Sequence, residues 1–509
     1  MASSLLPPAR LSKSKYIAGL QCHKRLYLEV HHPHLATPPD EEKQAILDMG
    51  TEVGELARRR FTGGVLVDVD HRRPTEALKR TAELIADGQV PAIFEGALEF
   101  GRTFVRVDIL LRATGESGQD VWTLIEVKSS TRRKDHYLDD LAVQVHVATG
   151  AGLSIVCACL MHLNNEYVFD GEALNTERLF VIEDVTQAVV GRQAEVAERL
   201  SGMQRLLEEP AAPFVEPGAH CHRPYDCPFW DHCTEDKPER WIRFLPGGER
   251  AITALVKRGI ATIDEIPDDH PLTVRQRQVK ANVEWIGAGL RAALETVRYP
   301  VHHLDFETVM PAVPRYPGTR VYQAIPTQWS NHIEDEQGNL HHAECLIAEP
   351  TDPREELTRA LLASLGTEGS ICVYSSYERV LLERLAEEFP SLRRDLAAVI
   401  ARLWDLHEVI ERHYYHPAFG GALSIKAVLP ALVPDWGYAD LAIQSGGLAA
   451  QLYARMVFHE TDWVEKARIK DALLDYCRRD TLAMVLIRKA LRAKVDGMTV
   501  EASDALPNL

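Results

Sequence analysis

Three cysteines stand six residues apart in CHRPYDCPFWDHC, at positions 221, 227 and 233, and this run limits the fold more than any other stretch. Thiolates at such short spacing suit a soft metal centre, and a chain that holds one must bring its ligands together whatever the rest of the fold does. A disulfide framework does not account for them. Nine cysteines in 509 residues are too sparse, and an odd number leaves at least one outside any full pairing. Three thiolates also fall short of the usual four. Zinc is one reading, because His220, His222 and His232 adjoin the trio and mixed Cys/His sites are common. No paired CxxC knuckle accompanies it, and an iron–sulfur cluster is the other reading. Cys157, Cys159, Cys345, Cys372 and Cys477 sit in apolar or helical contexts and read as packing thiols.

A chain of this length exceeds one hydrophobic core and divides into domains of roughly 100–200 residues. Apolar residues make up 46% and charged residues 26%, near globular averages. No apolar run reaches the roughly 18 residues of a membrane span, and no charged-then-apolar leader opens the sequence. The expectation is a soluble, cytoplasmic protein with no membrane partner. A formal net charge of −17 excludes a chain coated in positive charge for indiscriminate nucleic-acid binding. It leaves room for a local basic groove, for which ARRRF (57–61), HRRP (71–74) and TRRKDH (131–136) offer material. Each run alone reads equally well as a solvated face.

In the first half, KYIAGLQCHKRLYLEVHHP places Cys22 in a short helical stretch, and EKQAILDMGTEVGELARRRF reads as a long amphipathic helix. IFEGALEF turns at Gly101 into TFVRVDILLRA, and TGESGQD leads into VWTLIEVKSS, whose β-branched content suits a buried strand. Alternation puts Glu126 and Lys128 on one face, about 6.6 Å apart along the strand. Asp108 lies on the preceding strand, and the following helix, YLDDLAVQVHVATG, carries Gln144. Two carboxylates can hold a divalent cation that polarises a phosphodiester, while the lysine orients the attacking water or offsets phosphate charge.

These residues resemble the PD-(D/E)XK nucleases, in particular the RecB-like branch that includes CRISPR-associated exonucleases and the AddB type. The resemblance covers roughly residues 15–240, within a domain set at 1–240. It implies a restriction-endonuclease-like fold with Asp108, Glu126 and Lys128 as the motif's acid, glutamate and lysine, and Gln144 as the helix glutamine. Two positions depart from the pattern. MGTEVGELAR offers Glu52 and Glu55 where many relatives carry a metal-binding histidine, and Ala148 stands where a tyrosine often follows the glutamine. In the iron–sulfur subset of the family one cysteine precedes the nuclease core and three follow it. That implies a 4Fe–4S cluster on Cys22, Cys221, Cys227 and Cys233, clasping the module's two ends. The C-x5-C-x5-C spacing is wider in its first step than the more familiar C-x2-C-x5-C.

Residues 241–295 read as a helical hairpin linker, and VHHLDFETV opens a second α/β domain, 296–495, before a tail at 496–509. Alternation places Asp305 and Glu307 on one face of its first strand. VYQAIPTQWSNHIED and LHHAECLIAE flank the turn EQGN as a hairpin, and ICVYSS is a fourth strand running into the helix YERVLLERLAEEF. On the helix LLDYCRRDTLAMVLIRKAL, Tyr476 and Asp480 stand four apart and share a face. Asp-x-Glu on a first strand followed by Tyr-x3-Asp on a last helix resembles the DEDD exonuclease superfamily in its tyrosine-bearing form, with a ribonuclease-H-like fold. The resemblance implies two Mg²⁺ or Mn²⁺ ions about 4 Å apart, held by Asp305, Glu307 and Asp480, with Tyr476 aligning the water. By position Glu378, in YSSYERVLL, supplies the second-motif acid; Asp405, in LWDLHEVIERHYYHP, is the alternative. ERHYYHPAFGGALSIKAVLPAL suits either the stacking of unpaired bases or a packed loop.

The combined likeness, to a bacterial family of RecB-like nucleases with an exonuclease-like C-terminal domain, spans nearly the whole chain. It implies a metal-dependent nuclease with two active centres acting on DNA, trimming 3′ ends with its C-terminal centre and processing DNA ends in repair or defence. A nucleic-acid-binding scaffold that has lost catalysis, and a ribonuclease, remain open.

Overall fold

The hairpin predicted at Gly101 forms with Gly101 and Arg102 both at positive φ, 54° and 63°, the conformation that suits a two-residue turn to the twist of its strands. It belongs to the first of two α/β units in the structure of the protein, a computed structural model that describes residues 10–39 and 41–497. The predicted tail thus falls almost wholly outside the described residues. Unit 1 comprises the chain up to Asp236 together with Pro311–Tyr322; unit 2 comprises Lys237–Met310 and the chain from Gln323. The segment read as a linker groups with unit 2. Among the described residues no helix is long and apolar enough to cross a membrane.

Unit 1 runs β1 (Leu11–Ser12), α1 (Lys13–Gln21), α2 (His23–His31), α3 (Glu41–Arg58), β2 (Val65–Leu66), α4 (Pro74–Ala86), β3 (Ala92–Phe100), β4 (Thr103–Thr114), β5 (Asp120–Lys128), α5 (Asp135–Gly150), β6 (Ile155–Leu163) and β7 (Phe180–Asp184). Its sheet has the order β2-β3-β4-β5-β6-β7. The β3–β4–β5 strands form an antiparallel meander, and α5 carries the crossover to β6, parallel to β5. Pairing of β4 with β5 covers Ile109–Thr114, and β1 lies parallel beside the opening residues of β4. The sheet therefore forks next to Asp108. Buried along α5 are Leu138, Leu141, Ala142, Val145 and Val147, with Asp140 and Gln144 among them one turn apart.

Two expectations change. Cys22 is not inside a helix: it closes α1 and opens α2 in extended backbone (φ −162°, ψ 122°), which turns the chain at that point. VYQA is not strand, because Tyr322 takes a positive φ of 53° that ends any extended run. Residues 311–322 instead pack in unit 1, where Ala312, Val313 and Val321 join Tyr167, Phe169 and Leu179 in an apolar cluster. The Tyr322 hydroxyl donates to the Ser129 carbonyl at 2.5 Å.

Unit 2 holds the short pair β8 (Trp285–Ile286) and β14 (Tyr414–Tyr415), and a mixed sheet of β9 (Val301–Val309), β10 (Ile325–Glu334), β11 (Leu340–Leu346), β12 (Ser370–Val373) and β13 (Leu403–Asp405) in the order β11-β10-β9-β12-β13. The first three strands are antiparallel; β12 runs parallel to β9 and to β13. Alternation divides β9 between two environments. Leu304 and Phe306 enter a core with Leu357, Leu361, Leu381 and Leu382, from the helices Arg354–Leu365 and Tyr377–Glu388. Asp305 and Glu307 face the other way. The 34-residue helix Trp463–Asp496 packs against β9 and β10 and brings its own buried polar stripe to that site.

Candidate active sites

At the fork in unit 1 the register that pairs Ile109 with Ile125 sets Asp108 opposite Glu126. Asp108 Oδ2 accepts the backbone N–H of Val127 at 2.7 Å. Glu126, 1% exposed, accepts from Lys128 Nζ at 2.7 Å and from Gln144 Nε2 at 2.7 Å. Lys128 also reaches Asp140 at 2.5 Å. Lys13, the first residue of α1, lies 2.9 Å and 3.1 Å from the two Glu126 oxygens. Gln144 Oε1 is buried with no hydrogen-bond partner among the described residues.

The two carboxyls of this centre are pushed in opposite directions. Burial raises Asp108, the neighbouring Glu126 charge raises it further, and Lys13 offsets only part, leaving it at about 7. Burial acts against Glu126 too, but Lys128 and Lys13 outweigh it and hold that carboxyl down at about 2. One ionised acid beside one that is half-protonated near neutrality is the charge state a divalent ion would convert to two carboxylates. Glu95, on β3 between the partners of Ile109 and Val107, takes a positive φ of 55° and adds to the negative field at Asp108. Glu52 pairs instead with Arg315 at 2.6 Å, and Glu55 lies 3.9 Å from Arg58.

Cys22, Cys221, Cys227 and Cys233 line one narrow pocket with Lys24, Arg25, His220 and Trp230. The pocket is tied to α1, because Gln21 Nε2 donates to the carbonyls of His220 and Tyr225 at 2.7 Å each. Burial pushes the Cys227 thiol up to about 11, so a metal bound there must displace protons. Four thiols converging from distant parts of the chain, with two cationic neighbours to offset thiolate charge, form a donor set for a soft metal centre.

In unit 2 the carboxylates of Asp305 and Glu307 and the sulfur of Cys477 offer ligand atoms within 4.8 Å of one another. Asp480 is the strongest charge acting on both acids. Burial first, then mutual repulsion, pushes Asp305 and Glu307 well above the ordinary carboxylate range. Asp480 rises to about 6: burial lifts it, and the Tyr438 hydroxyl, donating at 2.5 Å, and Lys426 hold it back. Tyr476 accepts from Lys426 Nζ at 3.0 Å; burial and the three acids keep its phenol protonated. Glu378, in the first turn after β12, is lifted by burial to about 7 and acts on Asp305. Asp405 caps the next helix by accepting from the N–H of Glu408 at 3.2 Å, a structural task of its own.

The sequence readings of Asp108, Glu126, Lys128 and Gln144 thus meet at one place, and those of Asp305, Glu307, Glu378, Tyr476 and Asp480 at another. Cys477 stays a fully buried thiol, raised well above its ordinary value, and lies 3.7 Å from Asp305 Oδ2 on the helix that carries Tyr476 and Asp480. Lys13, Glu95, Asp140, Lys426 and Tyr438 were not singled out, and no local pattern marks them. The aromatic stretch 411–432 resolves toward packing, with Tyr414, Tyr415 and Phe419 buried, while its Lys426 reaches the Tyr476 hydroxyl.

Residues 302–424 match a protein-family model described as a domain of unknown function, DUF2779. The match includes Asp305, Glu307 and Glu378 and stops short of Lys426, Tyr476 and Asp480. No curated protein matches the chain.

Acids raised on folding bind protons more tightly in the native state than in the unfolded one. Glu378, at about 7, and Asp480, at about 6, therefore favour the ion-free fold below about pH 4, and that stability is lost as pH rises through about 7. At about pH 8 without metal, Asp480→Asn is expected to raise the melting temperature by about 3 °C or more. Mg²⁺ or Mn²⁺ should then stabilise the wild type more than an Asp305→Asn/Asp480→Asn variant, as read by scanning calorimetry.

Proposed function

We propose that the chain is a metal-dependent nuclease with two active centres acting on DNA. Unit 2 is read as a ribonuclease-H-like, DEDD-type 3′–5′ exonuclease, and unit 1 as a RecB-like PD-(D/E)XK nuclease with an iron–sulfur clasp. The observation that carries this reading is the convergence of Asp305 and Glu307, both half-buried, with the buried Asp480, and with Tyr476 beside them. Buried acids that repel one another have little structural use and strong affinity for a divalent cation.

Bound there, Mg²⁺ or Mn²⁺ would polarise the scissile phosphodiester and supply a hydroxide-like water. The protein's own groups do the rest. Asp305, Glu307 and Asp480 give up their protons to hold the ions, with Glu378 the fourth acid. Lys426 fixes the Tyr476 hydroxyl, which stays protonated and orients the nucleophilic water. Lys426 also brings a positive charge to the substrate's phosphate. In unit 1, Asp108 and Glu126 take the metal role, Lys128, anchored by Asp140, faces the phosphate and its water, and Gln144 holds Glu126 in place.

Iron–sulfur is preferred over zinc at the four cysteines because one precedes the sheet of unit 1 and three follow it, the order seen in the iron–sulfur subset that the sequence resembles, and because no paired CxxC knuckle accompanies them.

Labelled single- and double-stranded DNA and RNA, incubated with Mg²⁺ or Mn²⁺, should show 3′-end trimming that Asp305→Ala/Asp480→Asn lowers by more than about a hundredfold, beyond what supporting contacts alone cost a metal site. A second activity should remain and be lost with Glu126→Ala. Wild-type protein that shifts DNA but degrades nothing would favour the scaffold, and degradation of RNA alone the ribonuclease. Anaerobically purified protein should be brown and contain iron, with both lost in Cys22→Ala; zinc without iron would contradict the cluster.

A further inference from the structure

Glu126 is the acid on which a metal in unit 1 depends, yet each of its oxygens already has two donors. Oε1 accepts from Lys13 at 2.9 Å and Lys128 at 2.7 Å, and Oε2 from Lys13 at 3.1 Å and Gln144 at 2.7 Å. A carboxylate offers about four lone-pair directions, so no ion can ligate Glu126 unless a donor leaves. Two of the three donors are anchored elsewhere. Lys128 is also held by Asp140 at 2.5 Å, and Gln144 by the Asp140 carbonyl at 2.9 Å. Both hydrogen bonds of the Lys13 ammonium go to Glu126. Its side chain is 26% exposed, against 17% for Lys128, so it has a route to water.

The backbone of Lys13 is also well placed for this. It opens α1 directly after β1, which pairs with β4 at the fork, and Ser12 caps the helix by accepting from the Lys15 N–H at 3.2 Å. The far end of α1 is held by Gln21 and closed by Cys22. A fixed backbone with one long, partly exposed side chain lets the charge leave without moving the fold.

We propose that Lys13 stands in for the metal of unit 1: it neutralises Glu126 while the centre is ion-free, and a divalent cation takes Glu126 by displacing the Lys13 ammonium. This rests on the metal-dependent reading of unit 1. Lys13 is then a competitor of the metal, unlike Lys128, which keeps its place on Asp140.

The test is a Mn²⁺ titration of the full chain at about pH 8, followed by electron paramagnetic resonance of the free ion. An Asp305→Ala/Asp480→Asn background silences the centre in unit 2. Lys13→Met, with Lys13→Gln as a second neutral variant, is expected to bind Mn²⁺ about tenfold or more tightly than the background, while Lys13→Arg stays within about twofold of it. Equal or weaker binding by neutral variants that melt with the background overturns the proposal and leaves the nuclease reading standing. Failure of the background and of every Lys13 variant to bind Mn²⁺ overturns the metal reading of this centre and the proposal with it.

Discussion

Carboxylates buried close together cannot all stay charged without a cation, and both units are arranged around that constraint. They meet it differently. In unit 1 Lys13 and Lys128 supply the positive charge, so Glu126 is held ionised and only Asp108 rises toward neutrality. In unit 2 no cation lies on Asp305 or Glu307 at bonding distance among the described contacts; Lys426 stands back on the Tyr476 hydroxyl, and all four acids are raised. The acids of the second cluster thus carry the larger uncompensated repulsion, and the first is balanced by its own lysines.

The sheets explain how such sites arise at modest cost to the fold. Each acid pair sits where strand pairing lapses or ends: Asp108 and Glu126 at the β4/β5 fork, Asp305 and Glu307 on β9 beyond the reach of β12. Neighbouring positions on the same strands, Val107 and Ile109 or Leu304 and Phe306, remain in apolar cores. The hydrophobic faces hold the strands while the opposite faces carry charge.

Much of this was legible because it depends on short periodicities. Glu126 with Lys128, Asp305 with Glu307, and Tyr476 with Asp480 are read from spacings of two and four residues. The α/β character followed from the same patterns. What was not legible comes from contacts between distant segments. Nothing local to Lys13 announces Glu126, and nothing near Tyr438 announces Asp480. The departure of residues 311–322 from unit 2 into the apolar cluster of unit 1 turns on a positive φ at Tyr322 that composition does not signal.

The four cysteines and the fork are parts of one structure in unit 1, joined by the nine residues of α1, so order at the thiolate pocket supports order at the acids. The central claim concerns the acids themselves, and anomalous X-ray scattering from crystals soaked in Mn²⁺ tests it most directly. The account predicts two manganese peaks about 4 Å apart, enclosed by Asp305, Glu307 and Asp480. Saturating Mn²⁺ that leaves those three carboxylates without a peak would contradict it.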